Sequence, residues 1–203
     1  MKAYWFCKED MTAAQGNEPP WTVGETRTLQ GELVMCKHGY HSSPTITDAL
    51  TYITGPVINL VEIGEPDLSQ SVGHNANKYV SRSRQIIKSV DLSGPLRLLI
   101  CDIADRENER YEQESGKPAP EEARLSVLAG RKFAAGEITR EEMKQAHKAI
   151  SSSYYDPPVH SYASLYTHYA SHSSPYSPYR PSHDCSDLIE AFGQRALEAL
   201  ENG

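Results

Sequence analysis

The densest group of residues able to do chemistry is Lys37-His38-Gly39-Tyr40-His41-Ser42-Ser43. Imidazoles and hydroxyls placed just ahead of a helix could hold a phosphate or a nucleotide, because the helix start adds free backbone donors and a positive dipole end. The plainer reading uses the same residues structurally: Gly39 makes a turn, Ser43 or Thr45 caps the helix, and the histidines satisfy backbone groups. Asp48, four residues after Pro44, cannot be told from an ordinary first-turn acid, so no Ser-His-Asp arrangement is assigned. A second group is basic. Lys78, Arg82, Arg84 and Lys88 fall within eleven positions with no acid among them, a local positive field that fits a phosphate-bearing ligand, an acidic protein partner or a solvated face. The ligand-binding candidates are therefore Gly39, His41, Ser43 and Tyr52, with Lys78, Arg82 and Arg84 to meet phosphates.

Metal chemistry has little to work with. His168 and His172 have helix-face spacing, but beyond Asp184 and Cys185 no carboxylate or thiol accompanies them, and no metal or cofactor is expected. Cys7, Cys36, Cys101 and Cys185 are widely spaced with no Cys-x-x-Cys pair, so free, buried thiols are expected.

The elements that must position these groups follow from pattern. Residues 1–101 read as a mixed, mostly β domain: short strands at 2–7, 22–29 and 32–36, a helix at 44–52 capped by Thr45 or Thr47 and ended by Gly55-Pro56, a buried strand at 57–63, and an apolar run at 96–103 that closes the domain. Residues 102–150 are dense in alternating charge and read as helix surface, broken at 116–120. The helix from 121 ends at Gly136, and Thr139-Arg140-Glu141-Glu142 is a capping box opening another. Residues 151–183 hold 10 Ser, 7 Tyr, 5 Pro and 4 His, with only Asp156 and Arg180 charged. Such a tract cannot build an aliphatic core, and Tyr162, Tyr166 and Tyr169 would share one helical face suited to contacts with a partner or with the β domain. Residues 184–203 form an amphipathic helix whose stripe includes Leu188 and Phe192. With little aliphatic surface nearby to cover it, the stripe reads as a homodimer contact. The fold class expected is α+β: a small mixed β domain with a short helix, then a helical C-terminal arm.

Several of these residues carry a resemblance. Val23-Gly24-Glu25-Thr26, then Cys36-x-x-Gly39-x-His41-x-Ser43, then Asp48-Ala49-Leu50-x-Tyr52 and Gly55-Pro56 before an apolar strand, resemble a family of uncharacterised proteins common in tailed-bacteriophage genomes and prophages. The likeness continues through Asn77-Lys78 and, at Gly136-Glu137-Ile138-Thr139-Arg140-Glu141-Glu142, through a helix-connecting turn. The tail departs from the family pattern, being Ser/Tyr/His/Pro-rich instead of alanine-rich. The resemblance implies a phage or prophage origin and supplies no reaction. A fainter likeness, of residues 39–43, 49–52 and 57–63, is to ADP-ribosyltransferase folds and implies a nucleotide site. Trp5 stands where those enzymes carry a ribose-holding His or Arg, and no Glu-x-Glu or Gln-x-Glu strand follows.

Composition narrows the class further. The chain has 203 residues and a net charge of -7, which argues against wrapping nucleic acid. It has no stretch of 18 consecutive apolar residues, so membrane insertion is not expected, and the start lacks the order of a secretory signal. The expectation is a non-catalytic, phage-encoded accessory protein in the host cytoplasm that binds a protein partner and antagonises host defence. The alternative is an ADP-ribosyltransferase-like nucleotide-binding protein or enzyme.

Overall fold

The computed structural model describes residues 1–13, 17–151 and 185–202. The tyrosine-rich tract, with Tyr162, Tyr166 and Tyr169 and the His168/His172 pair, lies outside the described residues. The fold is α+β, a small antiparallel sheet with one short helix followed by a set of C-terminal helices. By packing, the chain divides into two compact units: one holds Met1–Leu92 and the last helix from Gly193, the other starts at Ser93 and takes that helix up to Phe192.

The sheet unit is built on a long antiparallel pair, β4 (Val57–Pro66) and β5 (Tyr79–Asp91). β-Branched residues at Val57, Ile58, Val61, Ile63, Val80 and Ile86 suit a pleated surface, and all six are buried. A register shift between Leu60 and Val61 marks a bulge, which adds local twist. β1 (Lys2–Cys7) pairs with the free side of β4. The other side of β5 takes β2 (Thr26–Thr28) opposite residues 83–85 and β3 (Tyr40–Ser42) opposite residues 79–81. The sheet curls far enough for the end of β3 to meet β1. Tyr4 N–H donates to the Ser43 carbonyl at 2.9 Å, and Ser43 N–H donates to the Tyr4 carbonyl at 2.8 Å. Inside the curl lies a core of Ala3, Trp21, Tyr40, Val61, Ile63 and Ile86.

The short helix α1 (Ile46–Leu50) starts where Thr45 Oγ1 accepts from Asp48 N–H at 3.0 Å, and it lies against β1. Gly55 is required after it because the chain passes tightly over β1. A Cβ there would lie 2.3 Å from the Cys7 carbonyl oxygen and 2.4 Å from Lys8 Cα.

Some expected strands are not strands. Residues 32–36 form a turn, in which Val34 N–H and His38 N–H each bond across the pair at 2.8 Å and Cys36 adopts φ 63°. That turn leaves Cys36 exposed, so only Cys7, Cys101 and Cys185 are the buried thiols expected of all four. The strand expected at 22–29 is cut to three residues, because Thr22 and Glu25 close a turn through Gly24 at φ 88°. The apolar run at 96–103 lies inside helix α2 (Ser93–Ser115). Its buried members Leu96, Leu99 and Ile103, with Cys101, lie on one side while Leu98 is exposed, and the charges at Arg97 and Asp102 break the run as helical periodicity would.

The helical unit continues with α3 (Glu121–Ala134) and α4 (Arg140–Ser151). Gly130 of α3 lets α2 approach, since a Cβ there would sit 2.7 Å from Cys101 Sγ. Arg131 forks onto Asp102 and Asp105 of α2 at 2.8 and 2.7 Å. The capping box is present: Thr139 N–H donates to Glu142 Oε2 at 2.7 Å and Glu142 N–H donates to Thr139 Oγ1 at 3.2 Å. In the last helix, α5 (Ser186–Asn202), the apolar stripe is covered within the chain, with Phe192, Ala196 and Leu200 all buried and Leu188 half-buried.

Gly55→Ala should destabilise the protein by about 1–3 kcal/mol or more, because backbone and not a flexible side chain must move. Gly94→Ala, where nothing lies within 4 Å of the new methyl, should be neutral or stabilising; urea unfolding of the two variants checks the contrast.

Candidate functional site

The turn at 34–38 and β3 set the polar group. Gly39 has φ 137° and a Cβ there would meet Val80 Cγ2 at 2.3 Å, so only glycine fits both the dihedral and the space. His41 follows on β3. Its Nε2 accepts from Cys36 N–H at 2.8 Å, so the ring is neutral with its proton on Nδ1, and it braces the turn. Burial, helped by the Lys78 and Arg84 charges, holds the imidazole below the usual histidine range.

Lys78 connects this turn to Tyr52, just past the end of α1. Its Nζ donates to Cys36 Sγ at 3.0 Å and lies 4.8 Å from the centre of the Tyr52 ring. The Tyr52 hydroxyl in turn donates to Asn77 Oδ1 at 2.5 Å. Tyr52, Lys78, Cys36 and His41 therefore make one chain of contacts, in which Cys36 is the member that sequence reasoning did not single out. Ser43 is buried and gives its backbone to the bridge with Tyr4, and Thr45 is the helix cap. Arg82 turns elsewhere, to Glu65 at 3.0 Å and to the Gly31 carbonyl at 2.9 Å.

Arg84 occupies a different environment from the other cations. It is 3% exposed, and its guanidinium carbon lies 3.7 Å from the Trp5 ring centre, 4.5 Å from Trp21 and 4.9 Å from Tyr40. The rings brace one another edge to face, Trp5 with Trp21 at 5.9 Å and Trp21 with Tyr40 at 5.3 Å. Arg84 Nη1 donates to the His41 carbonyl at 3.2 Å, so the cage touches the polar chain of contacts at His41. Among the described residues no carboxylate lies within ion-pair distance of Arg84. Burial pulls its pKa down to about 9, with the Glu18 charge the first of the opposing influences, and the group stays protonated at neutral pH. Arg27 covers the cage from outside: it lies 4.2 Å from the Trp21 ring centre, pairs with Glu25 at 2.6 Å and donates to the carbonyls of Pro19 and Pro20. Glu18 accepts from the Tyr40 hydroxyl at 3.2 Å and lies 3.8 Å from Arg27.

Sequence reasoning named Arg84 in the basic group and Tyr40 in the polar group without joining them, and did not single out Trp21, Glu18 or Arg27 as site residues. The available signal was that both tryptophans of the chain fall in the sheet domain, as do Arg27, Arg82 and Arg84. Among the described residues no cluster of His, Cys, Asp or Glu could hold a metal ion, and none of their helices is long and apolar enough to cross a membrane.

Fold and site together define a small curled-sheet domain with a caged arginine at its centre. Residues 1–98 match the family model described as a domain of unknown function (DUF7666). No curated protein and no solved structure matches the chain.

The depressed His41 value has a pH consequence. Between its folded pKa and the ordinary 6.5 the unfolded chain takes up the proton first, so the stability present above that window falls as pH drops through it. His41→Gln keeps an acceptor for Cys36 N–H and should flatten the loss between pH 7.5 and 5.5 in urea unfolding; an unchanged pH dependence would show that His41 does not contribute.

Proposed function

We propose that the chain is a non-catalytic binding module, encoded by a bacteriophage or prophage, that engages a protein partner in the cytoplasm of the infected host and antagonises a host defence. The observation that carries the non-catalytic part is the commitment of its reactive groups. The His41 lone pair at Nε2 serves Cys36 N–H, Arg82 serves Glu65 and two carbonyls, and a ring face of Trp5 is occupied by Arg84. A general base must reach the proton it abstracts, and a ring that stacks a nucleotide must offer a free face.

A contact surface is at hand on the same unit. Leu68 and Val72 are 52% and 63% exposed on the connection between β4 and β5. The connection is stiffened by Gln70, whose amide accepts from Met35 N–H at 2.7 Å and donates to the Leu33 carbonyl at 2.8 Å. Apolar side chains held out on a braced loop lose little entropy on docking, which favours protein binding. The phage origin and the defence role rest on the motif resemblance of residues 23–63.

The second reading, an ADP-ribosyltransferase-like nucleotide site, is favoured by one arrangement: Tyr52, Lys78 and His41 lie along a single chain of contacts beside Gly39. Labelled NAD incubated with the full chain and host lysate separates the two. No transferred label is the expected result; label that disappears in His41→Gln or Tyr52→Phe would make the chain an enzyme. On the binding reading, Leu68→Asp with Val72→Asp should abolish a partner's capture from infected cells while leaving the free energy of unfolding within about 0.5 kcal/mol of the parent.

A further inference from the structure

Among the described residues, Arg84 is a buried cation with donors left open. A guanidinium offers five N–H donors, and the bond it makes among the described residues is the one from Nη1 to the His41 carbonyl. Its Nε is buried with no partner, and so is the indole Nε1 of Trp21, whose ring centre is 4.5 Å from the guanidinium carbon. A buried donor left unmade costs its desolvation, and a charged group more than a neutral one. Cation–π contact in a desolvated cage returns less than the desolvation of a buried ion costs. The rings therefore offset part of the cost and leave the need for an anion.

Geometry limits what that anion can be. Rings at 3.7, 4.5 and 4.9 Å crowd the guanidinium, and Nη1 is used, which leaves the edge carrying Nε and Nη2. That edge is the fork that a carboxylate meets with two parallel bonds. A carboxylate meets that fork with both oxygens in the guanidinium plane, whereas a tetrahedral phosphate carries oxygens out of that plane, on the sides where the rings lie. The nearest acid, Glu18, is held off by the Tyr40 hydroxyl at 3.2 Å and by Arg27 at 3.8 Å.

We propose that the cage of Trp5, Trp21, Tyr40 and Arg84 is a binding site for a small carboxylate, received by the Nε edge of Arg84 with the Trp21 indole N–H as the additional donor. The carboxylate belongs to a free organic acid or to the C-terminus of a peptide, and it enters past the segment of residues 18–21. Ahead of the buried Trp21, whose backbone N–H donates to the Met11 carbonyl at 3.0 Å, that segment is held by side-chain contacts: Tyr40 and Arg27 to Glu18, and Arg27 to the carbonyls of Pro19 and Pro20 at 2.9 and 2.7 Å. Glu18 is then the internal competitor, its charge repelling the incoming anion. The site goes beyond the binding-module reading and does not depend on it.

The test uses the full chain and its own fluorescence, because its two tryptophans both contact Arg84. Sodium acetate is titrated against sodium chloride at matched ionic strength, with sodium phosphate as the second anion and N-acetylglycine against its amide as the peptide-terminus arm. Acetate should give a saturable emission change and raise the unfolding temperature in step with occupancy; tighter binding of N-acetylglycine than of acetate assigns the site to a peptide terminus, and the reverse to a free acid. Trp21→Phe, which keeps the ring and loses the N–H, should weaken binding about fivefold, and Arg84→Lys, which loses the fork, should abolish it. Glu18→Gln should tighten it. Absence of a saturable change beyond chloride, phosphate binding as tight as acetate, or equal affinity in Trp21→Phe and Glu18→Gln would each overturn the proposal, and those two variants decide it even where Arg84→Lys does not fold.

Discussion

Rings from three parts of the chain, Trp5 on β1, Trp21 ahead of β2 and Tyr40 on β3, meet on one guanidinium carried by β5. In the sheet order β4 lies between β1 and β5, so no ladder connects the strand of Trp5 to the strand of Arg84. The cage makes that connection through side chains, and the Tyr4–Ser43 bridge repeats it in the backbone. Curl and cage thus depend on each other. A flat sheet would leave Trp5 too far from Arg84, and an uncaged arginine inside the curl would carry its desolvation cost with only one hydrogen bond to set against it.

Local features were legible in the sequence because their physics is local. The Thr139/Glu142 box, the Thr45 cap and the break at 116–120 each depend on residues three or four apart, and each is present. The α+β class followed from the same signals, with β-branched runs in the first half and charge-alternating helix surface in the second. The site was legible only as a list of residues. Lys78, Arg82 and Arg84 look like one patch by their spacing, but on a strand their fates are set by what lies across the sheet. Arg82 falls near the end of the β4–β5 pair and reaches Glu65, Lys78 falls just before the strand and reaches Cys36 and Tyr52, and Arg84 falls over the tryptophans. Contacts between residues 5, 21, 40 and 84 leave no periodicity to read.

The thiols show how burial and neighbours divide one residue type into different roles. Burial pushes Cys7 and Cys101 up to about 11, so both stay protonated and behave as small apolar groups. Cys7 still accepts from the Asn59 amide at 3.2 Å, a buried polar contact that also fixes β1 against β4. Cys36, in the turn at φ 63°, is exposed and has the Lys78 ammonium against its sulfur. The turn that removed the expected strand at 32–36 is thus what brings this sulfur to the polar group.

The cage also bears on what kind of site the sheet domain can offer. Stacking a nicotinamide or adenine takes an aromatic face open to solvent, and around Arg84 the guanidinium itself lies against the rings of Trp5, Trp21 and Tyr40. Arg27 lies against Trp21 as well. Two cations beside one indole favour anions over planar neutral rings, and their separate anchors keep that preference in place: Glu25 holds Arg27, and the rings hold Arg84. The Arg84 charge is therefore fixed by the fold and not carried on a mobile surface lysine, in a chain whose net charge is -7. A buried cation whose donors are already held in position is set up to meet an anion without reorganising.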